Sequence, residues 1–240
     1  MKINPNLIAN MRRLLFHNRY FSNPCWSVNR FVRDRAGEVQ ANSKIIDVGA
    51  GECQYKNYFN HTNYVSQDLC VGDQAWDYSR IDIKSEIYSI PVSANTFDYV
   101  LCTEVLEHVA FPEKAFQEFR RILKPKGKLF LTVPFVFGEH QMPHDYFRYT
   151  RYALLQLAKE NGFSVQQISP QGGRFQCFSN FLIELVPGFF VEKGFPFMGY
   201  FMKALSYPLI FPIVFILYYL DKLDKQRTIT SHYECVFILD

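Results

Sequence analysis

Short apolar runs along this chain alternate with stretches in which apolar residues recur every three or four positions. Lys44-Ile-Ile-Asp-Val48 is a run that stops at Gly49, the mark of a buried strand. Asn63-Tyr-Val-Ser-Gln67 reads as a second strand, ending at Asp68, and Phe97-Asp-Tyr-Val-Leu-Cys102 as a third. Over 112–123, Ala115, Phe116, Phe119, Ile122 and Leu123 fall at helical spacing. Lys124-Pro-Lys-Gly127 is expected to turn the chain into the next strand, 128–133. Thr150 can cap a helix over 151–161 that Gly162 closes. Residues 163–168 and 233–239 are expected to pair as closing strands. Strands alternating with helices predict an α/β fold: a doubly wound, mostly parallel sheet covered on both faces. Ligands of such sheets lie beyond the carboxyl ends of the strands, where the strand order reverses.

The pattern divides the chain into an N-terminal helical cap over 1–42, a core over 43–170, an apolar helical insertion over 171–230 and a closing strand over 231–240. The cap starts with Arg12, Arg13 and Arg19. Residues 204–220 carry no charge, contain Pro208 and Pro212, and are flanked by Lys203 and the charged stretch 221–227. That run is shorter than the about 20 residues a membrane span needs. A single crossing would also leave strand 233–239 on the wrong side of the bilayer. Three readings stand: peripheral or re-entrant contact with an anionic membrane face, an oligomer interface, or a lid over the domain's own core.

Composition narrows the function classes. Net charge is +3, and no basic run interleaves with aromatics, so no nucleic-acid partner is expected. The six cysteines form no C-x-x-C pair, and no metal site is expected. No apolar leader opens the sequence, and scattered cysteines suit a reducing compartment, so the expected location is cytoplasmic.

The chemistry concentrates at strand ends. Gly49 and Gly51 let the backbone turn tightly and come close to a ligand. Asp68 ends the next strand, 21 residues after Asp47, where an acid can accept both hydroxyls of a ribose. A dinucleotide fingerprint would put a third glycine at position 54, which is Gln54. A nucleoside ligand without a pyrophosphate therefore fits better.

Three blocks stand in order: Ile45-Ile-Asp-Val-Gly-Ala-Gly51, Phe97-Asp-Tyr-Val-Leu-Cys-Thr-Glu-Val-Leu-Glu-His-Val109, and residues 119–134 around Leu123-Lys-Pro-Lys-Gly127. Together they resemble the class I S-adenosylmethionine-dependent methyltransferases over about residues 40–170. The usual Pro-Gly-Gly turn of that family is Pro125-Lys126-Gly127 here. The resemblance implies a seven-stranded sheet with an antiparallel last strand and S-adenosylmethionine as cofactor. It implies that Asp47, Gly49, Ala50 and Gly51 hold the methionine part, that Asp68 and Leu69 lie at the ribose, and that Asp82 and Ile83 lie beside the adenine. Cys102, Thr103 and Glu104 are expected to line the floor below the methyl group.

Residues 138–150, past the end of strand 128–133, hold His140, His144, Glu139, Asp145, Arg148 and two tyrosines. The segment is similar to the acceptor lid of a subgroup resembling small-molecule and surface-glycan methyltransferases. His144 or His140 is the candidate general base, oriented by Asp145 or Glu139. The alternative is that these residues only shape the loop, with Arg148 paired to Asp145. The four-residue spacing of the two histidines would suit a metal on a helix, but Pro143 between them argues against a helix. His108 reads as a structural histidine bonded to backbone. The resulting expectation is a methyltransferase for a small-molecule or lipid-linked acceptor. The competing one is a non-catalytic, membrane-associated scaffold or binding protein on the same fold.

Overall fold

A computed structural model describes residues 24–72 and 76–240. Most of the N-terminal cap, with Arg12, Arg13 and Arg19, lies outside the described residues. The elements run α1 (Pro24–Ala36), β1 (Lys44–Val48), a 3-10 turn (Lys56–Phe59), β2 (Asn63–Asp68), β3 (Ile83–Lys84), β4 (Phe97–Thr103), a second 3-10 turn (Leu106–His108), α2 (Pro112–Ile122), β5 (Leu123–Pro134), α3 (Arg151–Glu160), β6 (Phe163–Gln171), α4 (Arg174–Glu192), α5 (Pro196–Asp221) and β7 (His232–Leu239).

The described residues form two compact units, one over 28–169 and 232–240, the other over 24–27 and 170–231. The first carries the body of a seven-stranded sheet of order β3-β2-β1-β4-β5-β7-β6. Pairs β1–β2, β1–β4, β2–β3 and β4–β5 are parallel, and β7 runs antiparallel to β5. This is the mostly parallel, doubly wound α/β sheet that the alternation predicts, with the antiparallel last strand that the resemblance implies. The order reverses between β1 and β4, so the crevice beyond those two strands is where a ligand belongs.

Side-chain alternation along each strand builds two cores. Leu129, Leu131 and Val133 of β5 face α2 and α3, meeting Phe116, Phe119 and Leu154. Phe130, between them, faces the other way and packs with Val28, Phe31 and Val32 of α1. From Val28 onward, α1 is thus one layer of the sheet domain rather than a separate cap.

Lys124-Pro-Lys-Gly127 is corrected from a turn between elements to a bulge inside β5. Phe97 pairs with Leu123 and Tyr99 with Lys128, so the one residue between them in β4, Asp98, opposes four of β5. The excess loops out with Lys126 at φ +64°. The expected cap holds: Thr150 Oγ1 accepts the Ala153 amide at 3.2 Å, and Gly162 closes α3 at φ +75°.

The second unit is a helical hairpin. Asp221 at the end of α5 accepts amides of Gly173 and Gln176 at the start of α4, at 2.9–3.0 Å. Asp224 accepts the Arg174 amide at 3.0 Å. Two carboxylates therefore satisfy the free N–H groups of α4 and complement its dipole. Lys203 pairs with Glu184 across the hairpin. The hairpin's own core is small, built on Ile183 and Val214 with Tyr207 and Ile210 against them. Phe197–Asp221 is long and apolar enough to cross a membrane, and only 17% of its apolar window is buried.

Candidate active site

The end of β1 is tied to the end of β2. Gly49 and Ala50 amides donate to the Gln67 carbonyl at 2.8 and 3.0 Å. The Gly51 amide donates to Asp68 Oδ2 at 2.9 Å, and the Cys70 amide to Asp68 Oδ1 at 2.6 Å. Two amides thus aim the carboxylate and leave it lone pairs for further donors. Gly49 (φ +73°) and Gly51 (φ +54°) are both left-handed, and a Cβ on Gly49 would run into the Val105 side chain.

Asp47 is buried in β1 and accepts the Tyr64 hydroxyl at 2.6 Å. Burial pushes its carboxyl up to about 7, against the lowering effect of that hydrogen bond. Ile83 pairs in register with Gln67, beside Asp68, and Leu69 follows directly, half-buried. Asp82 Oδ2 accepts both the amide and the hydroxyl of Ser66, at 2.9 and 2.8 Å. That bond latches β3 to β2. Sequence periodicity does not show β3, because two residues have no period.

At the end of β4, Thr103 pairs with Thr132 and the Glu104 amide donates to the Thr132 carbonyl at 3.1 Å. Cys102 is fully buried in the core, so its side chain packs there and does not line the expected floor; burial pushes its thiol up. Glu104 sits at φ +52°, a conformation that costs a non-glycine residue energy and that clusters at functional sites. Burial raises its carboxyl above the ordinary range, and one oxygen has no hydrogen-bond partner.

The 138–150 lid is irregular and clasped. Arg148 grips Asp145 in a bidentate pair, 2.7 Å to each oxygen, and also donates to the Gly138 and Phe137 carbonyls. The guanidinium holds the Asp145 carboxyl well below its usual range. Tyr146 and Phe147 amides donate to the Glu107 carbonyl at 2.8 and 3.2 Å, tying the lid to the second 3-10 turn. His108 is on that turn and bonds a backbone carbonyl, as expected, but the carbonyl is that of His144 in the lid, 2.6 Å away. Burial pulls its imidazole below its usual value.

The two lid histidines part company. His144 is exposed, with Nδ1 3.0 Å from the Tyr146 hydroxyl. His140 turns inward, with its amide on Asp145 at 2.8 Å and its ring edge-on to His108. Asp145 therefore holds His140, not His144. The residue that sequence reasoning passed over is Glu107, whose side chain is fully buried beside both inner histidines. Its three-residue step from Glu104, through Leu106, was the available signal.

Residues 46–131 match the family model described as a methyltransferase domain. An uncharacterized protein of Methanocaldococcus jannaschii is 38% identical over 90 residues, which is 37% of this chain and 40% of that protein. The chain thus spans well under half the length of the curated relative it matches. Among solved structures, the (4+2)-cyclase SpnF is similar at 16% identity and TM-score 0.58, covering 93% of this chain and 86% of that one. Phosphoethanolamine N-methyltransferase 2 of Haemonchus contortus, solved with phosphomonomethylethanolamine and S-adenosylhomocysteine, is similar at 18% identity and TM-score 0.52. It covers 98% of this chain and 56% of that one.

Strand order, the glycine turn and the matched segment together define a class I S-adenosylmethionine-dependent methyltransferase fold. Residues 46–131 match its methyltransferase-domain model, and S-adenosylmethionine is the cofactor of that class. The residues present fit that cofactor: a side-chain-free turn for close approach, and next to it an acid with lone pairs to spare.

Proposed function

We propose that this chain is an S-adenosylmethionine-dependent methyltransferase for a small-molecule or lipid-linked acceptor, working at the inner face of a membrane. The observation that carries the reading is Asp68, fixed by the Gly51 and Cys70 amides at the switch point of the sheet. When bound, the cofactor supplies an electrophilic methyl group on a sulfonium whose leaving group is neutral. Gly49, Ala50 and Gly51 would hold its amino-acid part, Asp68 and Leu69 its ribose, and Asp82 and Ile83 would border its base; Asp47, expected to join the first group, is buried on the Tyr64 hydroxyl and braces β1 beneath the turn instead. Thr103 and Glu104 stand at the strand tip nearest the reacting centre.

The chain's own work is to hold the acceptor in line, to exclude water with the lid, and to take a proton from a hydroxyl acceptor. His144 is the base: it is the accessible lid histidine, its ring steadied by Tyr146. The α4–α5 hairpin supplies the membrane contact. Phe197, Leu205 and Leu209 are exposed along α5, and Lys193 and Lys222 stand near its ends. The free thiols of Cys53, Cys70, Cys102, Cys177 and Cys235 suit a reducing cytoplasm.

The second reading, a non-methylating protein on this fold, draws support from SpnF, whose name is that of a cyclase. Calorimetry with S-adenosylmethionine separates them. The wild type is expected to bind, and Gly49→Ala to lose more than about tenfold in affinity through its strained φ and the clash with Val105. With an acceptor identified by mass spectrometry of the loaded lid, His144→Ala is expected to lose about 100-fold in turnover. Absence of cofactor binding by the folded wild type removes the enzyme reading. Turnover of His144→Ala within about tenfold of wild type removes the base assignment.

A further inference from the structure

Glu107 is an acid that no other described residue solvates. Its side chain is fully buried, and neither carboxylate oxygen has a hydrogen-bond partner. Two imidazoles face it: His108 Nε2 lies 3.7 Å and His140 Nε2 3.9 Å from Glu107 Oε1, too far for hydrogen bonds. His108 Nε2 is itself buried without a partner.

The opposite nitrogens fix what these rings present. His108 Nδ1 lies 2.6 Å from the His144 carbonyl, which can only accept, so Nδ1 carries the proton. His140 Nδ1 lies 3.2 Å from the Gly138 carbonyl and 3.3 Å from Asp145 Oδ2, again acceptors. A neutral imidazole that donates at Nδ1 keeps a lone pair at Nε2. Two nitrogen lone pairs and a carboxylate therefore converge, all within 4.8 Å of one another. Glu104, with a buried, unpartnered oxygen of its own, lies close enough for its charge to act on Glu107.

Electron-rich groups facing one another with no donor between them repel, and a cation reconciles them. We propose that Glu107, His108 and His140 form a binding site for a divalent transition-metal ion of the zinc or manganese kind. Two imidazoles and one carboxylate, without thiolate, suit such ions. Two donors about 2.1 Å from a common ion stand no more than about 4.2 Å apart; each imidazole meets this against Glu107, at 3.7 and 3.9 Å, and with the trio within 4.8 Å the two rings need close by at most about 0.6 Å on loading. The support behind the ring nitrogens also matches: metal-bound histidines donate their other N–H to a carbonyl or carboxylate. Three protein ligands leave a coordination position for an oxygen ligand. That this ligand is the hydroxyl of the methyl acceptor rests on the methyltransferase reading; the ion site itself does not.

The test is titration of Co2+ into the full chain after EDTA stripping, read by its visible absorption bands, with Zn2+ as competitor. Wild type is expected to saturate at one equivalent and to release Co2+ to Zn2+. Glu107→Gln and His140→Ala are expected to weaken binding by more than the ~10–100-fold that loss of an outer-shell partner costs. His61→Ala, a control that bonds only the Val39 carbonyl, is expected to bind like wild type. Circular dichroism confirms that each variant is folded. Absence of Co2+ bands in the wild type overturns the site, as does undiminished binding by the folded variants; a proton then holds Glu107 instead. Calorimetry with S-adenosylmethionine on the same samples keeps the two readings apart. Cofactor binding without Co2+ sinks the metal site alone, and Co2+ binding without cofactor sinks the methyltransferase alone.

Discussion

The sheet unit and the helical hairpin use apolar residues in opposite ways. In the sheet unit, Leu101, Phe116, Phe130 and Phe237 are fully buried, and both faces of the sheet are covered. In the hairpin, Ile183 and Val214 are nearly all the core there is, while Phe181, Phe197, Leu205 and Leu209 are exposed. The hairpin's polar groups are nonetheless well provided for, with Asp221 and Asp224 capping α4 and Lys203 paired to Glu184. A segment whose charges are satisfied internally and whose apolar side is exposed is the surface that the proposed membrane contact would use. The sheet unit shows the reverse at Glu107: apolar groups satisfied, polar ones left wanting. In each unit the unsatisfied kind of group is where the proposed ligand, a cation in one and an apolar surface in the other, would bind.

The largest expected effect lies inside the sheet unit. Asp47 titrates at about 7 in the fold against an ordinary 3.8, so the folded chain holds more protons than the unfolded one between those values. Its contribution to stability is complete below about pH 4 and is lost as pH rises through 7. Asp47→Asn keeps an acceptor for Tyr64 and is expected to remove that loss. At pH 8.5 it should be more stable than wild type by up to about 4 kcal/mol, since each tenfold change in proton affinity is worth about 1.4 kcal/mol, with little change near pH 4. Urea denaturation at the two pH values measures it, and equal curves at pH 8.5 would show that the β1 carboxyl is solvated after all.

A somewhat smaller effect is expected at the lid. Arg148→Ala leaves Asp145, 3% exposed, without its counter-charge. About 3 kcal/mol of stability should go with it, read as a lower melting temperature and faster proteolysis within 138–150. An unchanged lid would mean that the Tyr146 and Phe147 amides on Glu107 suffice to hold it.

The smallest effect on stability is the one that most sharpens the contrast. Replacing Phe197, Leu205 and Leu209 together with serine should change folding stability by no more than about 0.5 kcal/mol per site, because each is exposed. Flotation with vesicles containing anionic lipid should nonetheless fall steeply, while S-adenosylmethionine binding stays as in wild type. A large drop in stability would instead show that this face is covered in the native protein, by a second copy or by the chain itself.

Much of the sheet unit was written in local pattern. Ile45, Ile46 and Val48 before Gly49 announced a buried strand and its turn, because a glycine after an apolar run leaves few other conformations. Thr150 and Gly162 marked both ends of α3 for equally local reasons. Local pattern failed at Lys124–Gly127, where the residues of a turn were absorbed as a bulge, because pairing with β4 and β7 outweighed their preference. In the lid it left the partners open between His140 and His144, and offered the Arg148–Asp145 pair that the structure shows. Asp145 and His144 are neighbours in sequence, yet Asp145 serves His140 and Arg148.

What the sequence by itself determined is the order of strands and helices, the glycine turn and the acid that follows it. Each of these depends on residues within a few positions of one another. What only the tertiary structure decided is which groups are left unsatisfied. Glu107 became a buried acid between two imidazoles because the lid brought His140 back from 33 positions away, and the apolar window of α5 is only 17% buried among the described residues. Burial and pairing are set by what packs against a residue across the fold, and no local pattern carries that information.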